Sequence, residues 1–462
     1  MLIKNATIVN EGRIFEGSLL IEEGRIARMA PAGESLALPD GHEVVDATGC
    51  LLLPGIIDTH VHFRDSGEEN MPSGTFATES LAAVAGGVTT VVDMPNTVPQ
   101  TTTLELLEKK EAHAAEVSMV NYGFMLGATN DNVDHLLAID PKRYAAIKLF
   151  LGSSTGNMLV NQDDSLDRLF RDSRKLIVAH CESEDVIKKN TFEYKLQYET
   201  GQLAGLDNLA EIHPKIRNTQ ACYLSTYHAI ERALKHHTRL HIAHISTATE
   251  LSLFGPQRLE DKHITAEVTP NHLWFDDRDY KELGNLIKCN PAIKSNDDRL
   301  ALWAALYDGL IDTIGSDHAP HPMENKQKNY FDAPGGIPSI QHELQMMLEL
   351  FYSKGSDNKD LCQEWLPLLV EKMCHNPALL FGIEERGFIR EGYKADLVLV
   401  RPGVEHRVEQ EDLRYKCGWS PLTGQTFHTR IEKTFVNGQI AYSGAYPQEH
   451  FAPYGQALTF SK

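Results

Sequence analysis

The sequence has no C-x-x-C pair, no apolar run long enough to span a bilayer, no excess of basic residues and no low-complexity stretch or solenoid repeat. Each absence removes a class of function. The seven cysteines (Cys50, Cys181, Cys222, Cys289, Cys362, Cys374, Cys417) are odd in number and scattered, so neither a disulfide framework nor a thiolate zinc site is indicated. They read as core or near-site thiols in a reducing compartment. Lys and Arg number 44 against 64 Asp and Glu, and the net charge of -20 repels phosphate backbones and anionic lipid, making nucleic acid and membrane poor partners. The opening MLIKNATIVNEGRIFEG interrupts every short apolar run with a polar residue, so no signal-peptide core is present and the expected location is the cytoplasm.

What is present is a β-rich texture at both ends and an alternating texture between them. Residues 1–53 and 388–462 are short alternating segments punctuated by Gly, which read as antiparallel strands of one domain built from both termini. The cues VNEGRI near residue 10 and VNGQI near residue 436 suggest paired hairpins. Over 54–387, apolar runs alternate with amphipathic stretches, as βα units do. Eight runs can be counted: GIIDTHVH at 55, GVTTVVDMP at 87, VNYGFML at 120, YAAIKLF at 144, KLIVAHC at 175, RLHIAHIS at 239, HITAEVTP at 263 and LIDTIGSDHAP at 310. Eight strands close a barrel, so the expected fold is α/β, a (β/α)8 TIM-type barrel with a small β-sandwich. The long polar interval 184–238 exceeds an ordinary βα connection, and part of it is expected to cover the barrel mouth.

Unusual polar residues fall at the ends of these runs, on the face of a barrel where catalysis occurs: His60 and His62 on the first, Lys148 on the fourth, His180 on the fifth, His244 on the sixth and Asp317 on the eighth. Two histidines two apart on a strand point to one side and can share a metal. Lys148 is an ammonium inside an apolar strand, expensive unless paired or neutralised; reaction of its amine with carbon dioxide would make it an anionic bridge between two metals. Asp317 can bind metal and carry a proton. Arg64, two beyond His62 and on the same side if the strand continues, offers a fork for a carboxylate.

The segments DTHVHFRDSG, VVDMPNT, IKLF, VAHCE, HIAHISTA, EVTPNHL, NPAIKS and SDHAPH, in this order, resemble the amidohydrolase superfamily and, within it, the dihydroorotases. The resemblance spans nearly the whole chain. It implies reversible hydrolysis of L-dihydroorotate to N-carbamoyl-L-aspartate in pyrimidine (UMP) biosynthesis, with two Zn2+ per subunit. His60, His62, Asp317 and a carboxylated Lys148 would hold one ion, and Lys148, His180 and His244 the other. Asp317 would act as general base and then acid, and Arg64, Asn96, Asn290, His321 and the backbone of Gly335 and Gly336 would bind the small-molecule substrate. The family's N-P-P-x-R stands here as NPAIK, with Lys294 in place of Arg, and PGGIPSIQH lacks the usual closing glycine. Spacing gives no role to His318, Glu182, His213 or His272. The rival expectations are another cyclic-amide hydrolase, of allantoinase or hydantoinase type, and a catalytically silent scaffold. A homodimer is the base-rate oligomer.

Overall fold

The computed structural model describes all residues except 35, 37–40, 42, 68–72, 153–157, 356–358, 445–451 and 462, and it leaves out the side chains of 350–363. The Cys362 thiol and the SSTGN stretch after the fourth apolar run therefore lie outside the described residues. The other six cysteines are free, five of them buried.

The N-terminal part supplies β1 (Leu2–Asn10), β2 (Arg13–Glu22), β3 (Arg25–Pro31), β4 (Val44–Asp46) and β5 (Leu51–Pro54). The barrel strands are β6 (Ile56–Val61), β7 (Val88–Asp93), β8 (Asn121–Phe124), β9 (Leu126–Gly127), β10 (Ile147–Phe150), β11 (Ile177–His180), β12 (Leu240–Ile242), β13 (Ile264–Val268) and β14 (Thr313–Ile314). The C-terminal part adds β15 (Leu397–Arg407), β16 (Thr426–Val436) and β17 (Gln439–Ser443).

All eight apolar runs are parallel strands, in the order β6-β7-β8 and β9-β10-β11-β12-β13-β14. Only Met125 separates β8 from β9, and Val61 bridges His318 in parallel beyond β14, so the two sheets meet at both edges and the ring closes. Burial on both faces explains why these runs read as continuous apolar segments rather than alternating ones.

The termini form one eight-stranded sheet, β17-β16-β15-β5-β1-β2-β3, with β4 beside β1. It is not wholly antiparallel as expected, because β1 pairs in parallel with both β4 and β5. Alternation decides which face each side chain covers. Leu52, Leu397 and Leu399 join Ile3, Ile8 and Phe435 inside the terminal domain. Leu51, Leu53, Val398 and Val400 turn the other way into the cluster shared with the barrel strands. Both suspected hairpins exist, with Glu11-Gly12 and Asn437-Gly438 at positive φ (49° and 75°; 50° and 75°), the geometry that matches strand twist in a two-residue turn.

The interval 184–238 is mostly helical, with helices at Glu184–Glu199 and Thr219–His236 around the short turns Leu209–Ile212 and His213–Ile216. Its middle reaches inward: His213 lies 2.9 Å from the Tyr330 hydroxyl and 2.8 Å from the Cys289 carbonyl oxygen, and Arg217 pairs with Glu182 just past β11.

Candidate metal centre and active site

Six sequence-selected residues converge at the C-terminal ends of the barrel strands. His60 Nε2 and His62 Nε2 lie 3.3 and 3.1 Å from the same oxygen, Asp317 Oδ1. On the other side His180 Nδ1 faces His244 Nε2 at 2.9 Å. The two groups adjoin, with the His60 and His244 ring centroids 5.2 Å apart, and His60, His244 and Asp317 bring ligand atoms all within 4.8 Å of one another. Lys148 Nζ is buried without a hydrogen-bond partner, 5.1 Å from the Phe150 ring centroid.

Three of the four imidazoles are oriented by their other nitrogen, and His244 Nδ1 is buried without a partner. His60 Nδ1 donates to Glu267 Oε1 at 2.5 Å, His62 Nδ1 to Asn96 Oδ1 at 2.7 Å, and His180 Nε2 to Glu182 Oε2 at 3.0 Å. Those bonds fix the tautomers and leave the inward nitrogens bare, the state a metal ligand needs. The backbone is bent to the same end. His244 and Asp317, just past β12 and β14, have φ of 41° and 48°, a left-handed conformation that ordinary residues hold only when their surroundings enforce it. Asp58 supplies part of that enforcement by accepting from the amides of His60 (3.0 Å) and Ser316 (3.1 Å) and from the Ser316 hydroxyl.

Burial pushes His62 down to about 4 and holds His180 and His244 below the ordinary imidazole range, so these rings are neutral at pH 7. Burial likewise pushes Lys148 down to about 8, against the opposing pull of Glu267 and Asp317. For Asp317 burial acts upward, but His60 and then His62 outweigh it and keep the carboxylate ionised.

Arg64 does not continue the strand as expected: β6 ends at Val61, and Arg64 itself has a φ of 61°. Its guanidinium is nevertheless beside the cluster, where burial lowers its pKa and Asp317 and Asp93 oppose that shift. Arg64 Nε is buried without a partner. His321, pushed down to about 3 by burial and then by the charges of Arg64 and Lys326, lies 3.1 Å through Nε2 from the Gly335 carbonyl oxygen. A Cβ at Gly335 would stand 2.9 Å from Asn290 Nδ2, so Asn290, Gly335 and His321 form one rim, and Asn290 Oδ1 is buried without a partner. Gly336 has a φ of 144°, and a Cβ there would lie 2.4 Å from the Ala319 carbonyl oxygen, so only glycine fits. Asn96 stands at the cluster, where its carbonyl oxygen accepts from His62.

The histidines without a role are scaffold. His318 sits 2.8 Å from Glu79 and accepts from the Ser339 amide. His272 ties Thr269 to the Pro291 carbonyl, and His213 holds Cys289 and Tyr330. Sequence reasoning missed Glu267, a buried carboxylate at the end of β13. The signal was available, since an acid inside the apolar run HITAEVTP is as anomalous as Lys148 in its own strand.

The chain is 33% identical to the dihydroorotase of Halobacterium salinarum over 438 residues, covering 92% of this chain and 95% of that protein. It is 29% identical to the allantoinase of Salmonella paratyphi B over 454 residues, covering 96% and 95%. Among solved structures, the L-hydantoinase (dihydropyrimidinase) of Arthrobacter aurescens superposes with a TM-score of 0.88 at 26% identity, covering 99% of both chains. Residues 51–441 match the model of the amidohydrolase family, and with this cluster at the barrel mouth the chain belongs to that family and is a cyclic-amide hydrolase.

Proposed function

We propose that the protein is a dihydroorotase, interconverting L-dihydroorotate and N-carbamoyl-L-aspartate in pyrimidine biosynthesis. The observation that carries this reading is Arg64, a half-buried side chain near Asp317 whose Nε is buried without a partner. A buried donor of this kind is costly unless a ligand completes it, and the planar fork suits the ring carboxylate that separates dihydroorotate from hydantoin, allantoin and dihydrouracil.

The donor set fits two divalent ions, because three imidazoles have outward nitrogens tied to Glu267, Asn96 and Glu182 and inward nitrogens turned toward Asp317 and His244. We assign His60, His62 and Asp317 to one ion, His180 and His244 to the other, and Lys148 to both as a carbamate. The orphaned, desolvated amine of Lys148 supports that last assignment, since an ammonium there would repel the ions. Two zinc ions held so would acidify a water and polarise the ring carbonyl.

The protein's own part is then proton movement and placement. Asp317, ionised and 3.1–3.3 Å from two imidazoles, takes the proton of the attacking water and delivers it to the departing ring nitrogen. Arg64 grips the carboxylate, and the amide of Asn290 with the His321–Gly335–Gly336 rim contacts the ring's polar edges. The setting we propose is a cytoplasmic enzyme with a small-molecule substrate, as a homodimer.

The test is hydrolysis of L-dihydroorotate by zinc-loaded protein, followed in the ultraviolet, with allantoin, hydantoin and dihydrouracil in parallel. Preference for dihydroorotate is expected. Turnover of an uncharged ring alone would retain the barrel and metals but replace the carboxylate pocket with an allantoinase or hydantoinase site. Metal binding with no turnover of any ring would favour the scaffold.

A further inference from the structure

We infer that Glu267 is a positioning residue that couples the two halves of the metal centre. The inference rests on the reading that the cluster holds two ions. A single oxygen, Glu267 Oε1, accepts from the His60 imidazole at 2.5 Å and from the backbone amide of His244 at 3.2 Å. His60 belongs to the group around Asp317, and His244 to the pair with His180. No other described carboxylate oxygen touches both groups: Glu182 binds the ring of His180, and Asp58 binds the amides of His60 and Ser316.

Each of the two bonds does something specific. The carboxylate takes the Nδ1 proton of His60 in a short, charge-assisted bond, which leaves Nε2 as a lone pair and makes it a stronger donor to a cation. The bond to the amide of His244 holds that residue in its left-handed conformation, with φ of 41°, and so aims the ring toward His180. The fold makes room for this arrangement at Gly315, where a Cβ would stand 2.6 Å from Glu267 Oε2 and 3.1 Å from the His60 Cβ. The Glu267 carboxylate is also buried. A charge fixed at this point lowers the free energy of cations on either side of it, so removing the charge weakens both ions together.

The experiment is metal content of the whole protein, dialysed against zinc buffered over a range of free concentrations, for wild type, Glu267→Gln, Gly315→Ala and Glu182→Gln. Glu267→Gln keeps the shape and an acceptor oxygen but loses the charge, and both uptake steps are expected to move to about 10-fold higher free zinc or more. Gly315→Ala leaves the carboxylate intact but displaces it, and the same joint shift is expected, which protects the test if Glu267→Gln folds poorly. Glu182→Gln touches His180 and Arg217 but no residue of the group around Asp317, and is expected to move one step. Cobalt absorption spectra should report altered geometry at both ions in the first two variants and at one ion in the third. A shift confined to one step in Glu267→Gln and Gly315→Ala, or none, overturns the coupling. So does a Glu182→Gln protein that moves both steps as far. A wild type that binds no divalent ion overturns the metal-centre reading itself, and the coupling with it.

Discussion

Replacing Arg64 by Met removes a half-buried guanidinium whose Nε the fold has already desolvated, so its effects on binding and on stability should have opposite signs. In the substrate complex the guanidinium would meet a carboxylate away from water, an interaction whose loss costs about 2–4 kcal/mol when one partner is truncated. At 1.36 kcal/mol per tenfold, kcat/KM for dihydroorotate should fall about 30- to 1,000-fold, chiefly through KM. In the free protein the same side chain carries a buried Nε with no acceptor, and burial depresses its pKa against the pull of Asp317 and Asp93. Met keeps an apolar stem there and removes the unpaired donor, so the urea midpoint of Arg64→Met should be equal to or above that of wild type. Steady-state kinetics on dihydroorotate and on an uncharged ring, beside urea titrations, separate the two effects. An unchanged KM for dihydroorotate, or an equal loss with the uncharged ring, would refute the carboxylate argument.

Asp317→Asn should lower kcat by about 10²- to 10⁴-fold while metal is retained at least in part, and near-normal turnover with metal bound would remove the proton role. In metal-free protein, Lys148 is an ammonium below its lowered pKa of about 8, and it destabilises the fold there. That penalty, about 3 kcal/mol, is relieved as pH rises from 8 toward the ordinary value of 10.5. Metal-free Lys148→Met should accordingly be more stable than wild type at pH 7.5 with the gap closing by pH 10, and a gap independent of pH would contradict the assignment. Gly438→Ala places a Cβ 2.8 Å from the Gly24 Cα at a φ of 75° and should cost about 1–3 kcal/mol of stability, with specific activity of the folded fraction unchanged. An unaltered thermal midpoint would show that the Glu23-Gly24 turn between β2 and β3 and the Asn437-Gly438 turn can separate freely.

The barrel was legible because parallel strands buried on both faces leave uninterrupted apolar runs, and all eight runs became strands despite the break at Met125. The cluster of polar side chains at the barrel mouth was legible for a related reason: a His, Lys or Asp closing an apolar run is an anomaly that stands out against its neighbours. The point at which the chain leaves a barrel strand did not show. Nothing in FRDSG announces that Arg64 leaves the strand in a left-handed turn, so the strand-alternation argument reached the right neighbourhood by the wrong geometry. The parallel pairing of β1 with β4 and β5 was hidden because short alternating strands look alike in either direction. His213, His272 and His318 carried the same residue letter as the cluster histidines but spend both ring nitrogens on the scaffold, a difference set entirely by tertiary contacts.

The most direct measurement is a crystal structure of the zinc-loaded protein with L-dihydroorotate bound. The account predicts the ring carboxylate on the Arg64 guanidinium, the scissile amide over the cluster of His60, His62, Lys148, His180, His244 and Asp317, and Asp317 within hydrogen-bond reach of the ring nitrogen. A ring whose carboxylate faces solvent, with Arg64 still unpaired, would contradict it.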